Sequence, residues 1–104
     1  MKIPLTTKLS GVTFGDAQAN IKKFGCEDIG SYALIREPEN PHDPNAIRVS
    51  LFDQYFMGYI PKDIAKDLAP LMDAGGHYIA EYVSRNECSF NDTMGLTIRV
   101  SEID

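Results

Sequence analysis

The order of apolar and polar positions along the chain divides it into short extended segments with two helical interruptions. Leu5 to Phe14 (LTTKLSGVTF) is rich in β-branched residues in loose alternation, and Leu9 and Phe14 bracket Gly11. This predicts a strand with a bulge or close backbone approach at the glycine. Asp16 then precedes AQANIKKFG, in which Ala17, Ile21 and Phe24 fall on one helical face, Lys22 and Lys23 sit in the last turn and Gly25 follows. A helix of about two turns, capped by Asp16, is expected there. Ser31 to Glu37 (SYALIRE) alternates as a strand running into a proline-rich segment. Ala46 to Phe52 and Tyr55 to Ile60 are strand-like, with Ile47, Val49 and Leu51 on one face and Arg48, Ser50 and Phe52 on the other. The intervening Asp53-Gln54 has the length of a two-residue hairpin loop, although Gln suits a type I′ turn poorly. Pro61 opens a second helix, with an apolar stripe of Ile64, Leu68, Leu71 and Met72 that ends at Gly75-Gly76. Pro70 interrupts it, giving either a kinked helix or two short ones meeting near Ala69. His77 to Arg85 and Gly95 to Ile103 alternate as strands, the second with Leu96, Ile98 and Val100 inward. About six strands and two helices predict a mainly β, α+β fold, either a small barrel or a sandwich.

The length of 104 residues, with 43% hydrophobic and 24% charged positions, is that of one globular domain spanning 1–104. A core of this size is modest, which favours surface binding or surface chemistry over a deep enclosed active site. Cys26 and Cys88 have no C-x-x-C spacing and there are two histidines, so neither a zinc site nor a disulfide framework is indicated and both thiols are expected reduced. No apolar run reaches the length of a signal peptide or a membrane span, so a cytoplasmic location without a membrane partner is expected. The net charge of -5 is uneven: residues 1 to 50 carry six Lys+Arg against six Asp+Glu, and residues 51 to 104 carry four against nine. Such a chain cannot coat a duplex through many cation–phosphate contacts, but a local patch reaching two or three phosphates is compatible with it.

Candidate chemistry concentrates in residues 36–45, REPENPHDPN. Pro38, Pro41 and Pro44 each fix a backbone angle and push the preceding Glu37, Asn40 and Asp43 toward extended conformations. Two readings follow. Asn40, His42, Asp43 and Asn45 form a rigid polar cluster able to read a small polar ligand at low entropic cost. Alternatively, they are turn residues that bond their own backbone.

REPENPHDPNAIRV, followed by MGYIPKDIA and LAPLMDAG, resembles the HIRAN domain family, and the likeness runs from Ser10-Gly11-Val12 through Gly75. The resemblance implies an OB-like barrel of about six strands with helices, and capture of single-stranded DNA at a 3′-hydroxyl end. On the matching positions, it implies that His42 stacks on the terminal base and Asp43 accepts from the 3′-hydroxyl, with Asn40 beside them. Phe14 matches a second stacking aromatic, Tyr59 a position next to the phosphates, and Lys62 a phosphate-binding lysine. Arg36 and Lys66 are possible neighbours. Thr13 departs from the pattern, standing where the DNA-end-binding form has a basic residue. The chemistry is coherent: stacking on flat side chains contributes roughly 1–3 kcal/mol per base, and a carboxylate that accepts from a terminal hydroxyl repels a phosphorylated end.

Each residue also has a plainer expectation. Phe14 can be core, Tyr59 can cover the barrel end, His42 can bond a carbonyl, and Lys62 and Lys66 share a solvated helix edge with Asp63 and Asp67. A protein-interaction module using the same rim, or the acidic face near Asp63, Asp67 and Asp73, is the alternative function. No nucleophile, metal cluster or phosphate-cradling glycine loop accompanies His42 and Asp43, so no enzyme activity and no cofactor are expected. A divalent-metal site at that pair would need a third ligand nearby.

Overall fold

The computed structural model describes residues 1–87 and 93–103. Among these the chain forms β1 (Leu5–Lys8), α1 (Ala17–Phe24), β2 (Ser31–Arg36), β3 (Ile47–Leu51), β4 (Tyr55–Tyr59), α2 (Lys62–Asp73), β5 (Tyr78–Glu87) and β6 (Met94–Glu102). The strands pair antiparallel in one sheet of order β1-β6-β5-β2-β3-β4. The sheet curls until its ends meet: Ser10, just past β1, exchanges two 2.8 Å backbone hydrogen bonds with Tyr59 on β4. The result is an OB-like half-barrel with two helices, the α+β architecture that the segment pattern and the family resemblance both anticipate.

The core follows the period-two alternation. Leu96, Ile98 and Val100 of β6 are fully buried, as are Ile47 and Val49 of β3, and they meet Ile21 of α1 and Leu68 of α2. Gln18 and Asn20 fasten α1 outside this core. The Gln18 amide donates to the Val12 and Met94 carbonyls and accepts from the Met94 N–H, while Asn20 donates to the Phe56 carbonyl on β4. Tyr32 donates to the Phe24 carbonyl at the end of α1, and burial pushes its phenol up to about 12.

Several expectations need correction. β1 ends at Lys8, and after Ser10 the chain turns at Gly11 (φ +62°), with Phe14 N–H donating to the Gly11 carbonyl. That turn takes Phe14 out of the strand and leaves it 61% exposed, so it is not core. Asp16 precedes α1 without a side-chain capping bond. Leu51 pairs with Tyr55, so the β3–β4 loop has three residues, Phe52 to Gln54, with Phe52 at φ +54° and exposed. A bulge between Val49 and Ser50 breaks the simple alternation and leaves Ser50 buried. α2 is one continuous helix through Pro70, and Pro61 lies at its N-cap rather than inside its first turn. Pro70 is exposed, and so is Lys66, whose carbonyl loses a helical partner, so water can satisfy the missing bond. The buried stripe is centred on Ala65, Leu68 and Ala69, flanked by Ile64 and Met72; Leu71 falls outside it and is 43% exposed. Cys26 is a free thiol, and Cys88 lies outside the described residues. No helix among the described residues is long and apolar enough to cross a membrane.

Closure requires Gly58. At φ +149° it faces the Ser10–Tyr59 bridge, and a Cβ there would lie 2.9 Å from the Ser10 carbonyl oxygen. Gly58→Ala should therefore cost about 1–3 kcal/mol in urea denaturation through backbone strain and loss of the close approach. A midpoint equal to that of the parent would show that the closure tolerates a side chain.

Candidate functional site

The proline-rich segment is a strap between β2 and β3 built from two successive turns. Asn40 N–H donates to the Glu37 carbonyl and Ala46 N–H to the Asp43 carbonyl, so Pro38 and Pro44 each occupy the second position of a four-residue turn, where their fixed φ is suited. Glu37 N–H to the Ala46 carbonyl closes the base of the strap at 2.9 Å. Asn40 joins the turns: its Oδ1 accepts from the backbone N–H of His42 (2.8 Å) and of Asp43 (3.2 Å). Asp43 Oδ1 accepts from Asn45 N–H at 2.9 Å. The turn-residue expectation thus holds for Asn40 and for one oxygen of Asp43. The other Asp43 oxygen carries no hydrogen bond among the described residues.

Folding brings six of the anticipated residues around one open groove of 640 Å³. Phe14 and Gly11 come from the turn after β1, Asn40, His42 and Asp43 from the strap, Tyr59 from β4 and Lys62 from the start of α2. Ser10, Ala46 and Ile60 complete its wall. The exposed Phe14 and His42 stand on the rim, and the half-buried Tyr59 forms part of the wall. A Cβ on Gly11 would lie 3.0 Å from the Tyr59 ring and 3.1 Å from that of Phe14, so the glycine keeps the two rings close across the groove. Asp43 and Lys62 also border a second depression, lined further by Asn45, Asp63 and Lys66. Lys62 and Lys66 are exposed and form no ion pair among the described residues, despite the neighbouring aspartates. Among the described residues no three His, Cys, Asp or Glu side chains converge as metal ligands.

Two anticipated contributors stand apart from this groove. Lys66 reaches only the second depression. Arg36 is occupied by the strap itself. Its guanidinium donates to the Ala46 (2.8 Å) and Pro44 (3.0 Å) carbonyls and makes a bidentate pair with Asp73 at 2.9 and 3.1 Å, tying the second turn to the end of α2. Thr13 is exposed and outside the groove wall.

One participant was absent from the sequence reading. Glu37 Oε1 accepts from the Tyr59 hydroxyl at 2.8 Å and from the Asn40 amide at 3.0 Å. Its Oε2 lies 3.7 Å from Arg48 Nε, which is buried without a hydrogen-bond partner. Burial, followed by the bond to Glu37, raises the Tyr59 phenol above its ordinary value. The sequence held one signal for this, since Glu37-Pro38 sets up a turn whose fourth residue is Asn40.

The HIRAN domain profile matches residues 18–102. The chain belongs to the HIRAN domain family. Among solved structures, a protein from Lactobacillus plantarum superposes with a TM-score of 0.69 at 24% identity, covering 95% of each chain. The HIRAN domain of human HLTF superposes with a TM-score of 0.61 at 22% identity, covering 92% of this chain and 73% of the other. Both have the fold described above. In sequence, the chain is 41% identical over 69 residues to the Fanconi-associated nuclease 1 homolog of Arabidopsis thaliana, and 49% identical over 41 residues to the helicase-like transcription factor of rabbit (Oryctolagus cuniculus). These stretches cover 66% and 39% of this chain but only 7% and 4% of those relatives, which are far longer than one HIRAN domain.

The Arg36 clamp sets a pH dependence. Its guanidinium, chiefly through the direct hydrogen bond, holds the exposed Asp73 carboxyl below the ordinary carboxylate range. A depressed carboxyl stabilises the fold above its unfolded-state value of about 3.9, and that contribution disappears as pH falls through the lower folded-state value. Carboxyl NMR of Arg36→Ala should return Asp73 to the ordinary value. An unchanged Asp73 titration would remove the clamp as its cause.

Proposed function

We propose that this HIRAN domain is a binding module, not an enzyme, that takes single-stranded DNA at its 3′-hydroxyl end in the groove between the strap and β4. The observation that carries this reading is the convergence of an exposed Phe14 with His42, Asp43, Tyr59 and Lys62 around one open groove. An aromatic held 61% exposed beside a second ring offers stacking surface, which suits single-stranded bases of any identity. Phe14 and His42 receive the terminal bases, Lys62 meets a phosphate, and Lys66 extends the cationic edge along the neighbouring depression. Asp43 has one oxygen engaged by Asn45 and the other open to accept from a 3′-hydroxyl. A 3′-phosphate in the same place would bring like charges together.

The names of the nuclease and helicase-like relatives support a repair-related setting, and recognition of stalled forks is the form of it that we propose. We place the protein's action in the cytoplasm. A protein partner on the acidic face near Asp63, Asp67 and Asp73 is the weaker alternative, because Asp73 is already engaged by Arg36.

Fluorescence anisotropy with short labelled oligonucleotides tests the proposal. A 3′-hydroxyl end should bind about ten-fold or more tightly than a 3′-phosphate end, and Asp43→Ala should abolish that difference. Equal affinity for the two ends in the parent protein would sink end recognition; no binding at high micromolar protein would sink the DNA reading. Phe14→Ala should weaken binding by about ten-fold through lost stacking. Lys62→Ala should instead flatten the dependence of log K on log salt by about 0.7. An unchanged salt slope would remove Lys62 from the phosphate path.

A further inference from the structure

The Glu37 carboxylate is the point on which the strap and the barrel wall converge. Its backbone is already fixed by the bond to Ala46, so the side chain is not needed to close the loop. That side chain is 24% exposed and accepts from two neutral donors on different segments, Tyr59 on β4 and Asn40 on the strap. Its second oxygen faces the Arg48 guanidinium, whose far end pairs with Asp53 at the β3–β4 hairpin at 2.8 Å. Bonds to an ionised carboxylate are stronger than neutral ones, and a carboxylate has lone pairs enough for all three neighbours. Asn40 passes the constraint on, because the amide that donates to Glu37 presents its oxygen to the N–H groups of His42 and Asp43. A continuous path of hydrogen bonds therefore links Tyr59, through Glu37 and Asn40, to the two residues that face the ligand.

We propose that Glu37 is the positioning residue of the groove, fixing the Tyr59 ring on one wall and, through Asn40, the orientation of His42 and Asp43 on the other. It touches no ligand. Asn40 belongs to the same device, since both ends of its amide are engaged within the protein. The proposal rests on the DNA reading for its effect on affinity, but the hydrogen-bond path itself can be examined without DNA.

The test compares the full chain with Glu37→Gln and Glu37→Ala in three measurements: the Tyr59 phenol titration by NMR, hydrogen exchange of the His42 and Asp43 amides, and anisotropy with a 3′-hydroxyl oligothymidylate. Gln keeps an acceptor oxygen and loses the charge; Ala loses both. In both variants the Tyr59 phenol should move down toward its ordinary value, though not all the way, because burial remains. In Glu37→Ala the His42 and Asp43 amides should exchange about ten-fold faster and the oligonucleotide should bind about ten-fold more weakly, while Gln restores most of both. Amide exchange unchanged in Glu37→Ala overturns the proposal, as does affinity within about two-fold of the parent. If the parent chain fails to bind the oligonucleotide, the DNA reading falls, and the titration and exchange still decide the hydrogen-bond path. Should Glu37→Ala lose its cooperative melting, Glu37→Gln decides alone, and a Tyr59 titration identical to that of the parent refutes the network.

Discussion

Two backbone hydrogen bonds between Ser10 and Tyr59 hold the two ends of the sheet together, and the site exists because of them. Without that bridge β1 and β4 are opposite edges of an open six-stranded sheet. With it, the turn that carries Phe14 comes to rest beside the ring of Tyr59. The contact is possible because Gly58 and Gly11 lack side chains where the strands and rings approach. Sheet closure thus joins the two edges at one point and, in the same step, forms one wall of the groove.

The opposite wall depends on hydrogen-bond accounting rather than on closure. The strap is rich in polar side chains, yet most of them are engaged internally: Asn40 by Glu37 and two backbone amides, Arg36 by two carbonyls and Asp73, half of Asp43 by Asn45. Of the strap's side chains that line the groove, what remains available is His42 and one oxygen of Asp43, with Lys62 of α2 beside them. This reconciles an acidic chain with an anionic ligand. The net charge belongs to the chain as a whole, whereas the groove presents the uncommitted Lys62 beside flat rings, with Lys66 along the neighbouring depression, and local composition governs a short-range contact.

Much of this was legible in the sequence. The alternation in LTIRV and AIRVSL placed β6 and β3 and the apolar residues they bury, though not the buried Ser50, because period-two patterning is set by the residues themselves. The groove residues Phe14, His42, Asp43, Tyr59 and Lys62 came from the family resemblance, since no local rule brings positions 14 and 59 together. The failures have physical causes. Leu71 read as core because helical phase tolerates either edge of a stripe, and Ala65 and Ala69 filled the closer packing positions. The β3–β4 loop read one residue short because Phe52, unfavourable at positive φ, gave no turn signal. Arg36 read as a neighbour of the site although it is spent inside the strap, and Glu37 read only as a residue stiffened by Pro38. Which carboxylate takes which donor is settled only by tertiary structure.

The triple-proline strap has a further consequence for how this rim can change. Its ends are pinned by the Arg36–Ile47 pairing of β2 with β3, and its interior holds two four-residue turns with a proline at the second place of each, joined by Pro41 and His42. Adding or deleting one residue within either turn would move its proline out of the turn position it suits, or shift β3 by one place and turn Ile47 and Val49 outward. Many binding loops adapt by growing or shrinking; this one has no spare length to trade. Adaptation to a different ligand is confined to substitution at the side chains it displays, which makes the strap a fixed-length scaffold for grafting rather than a site for insertion.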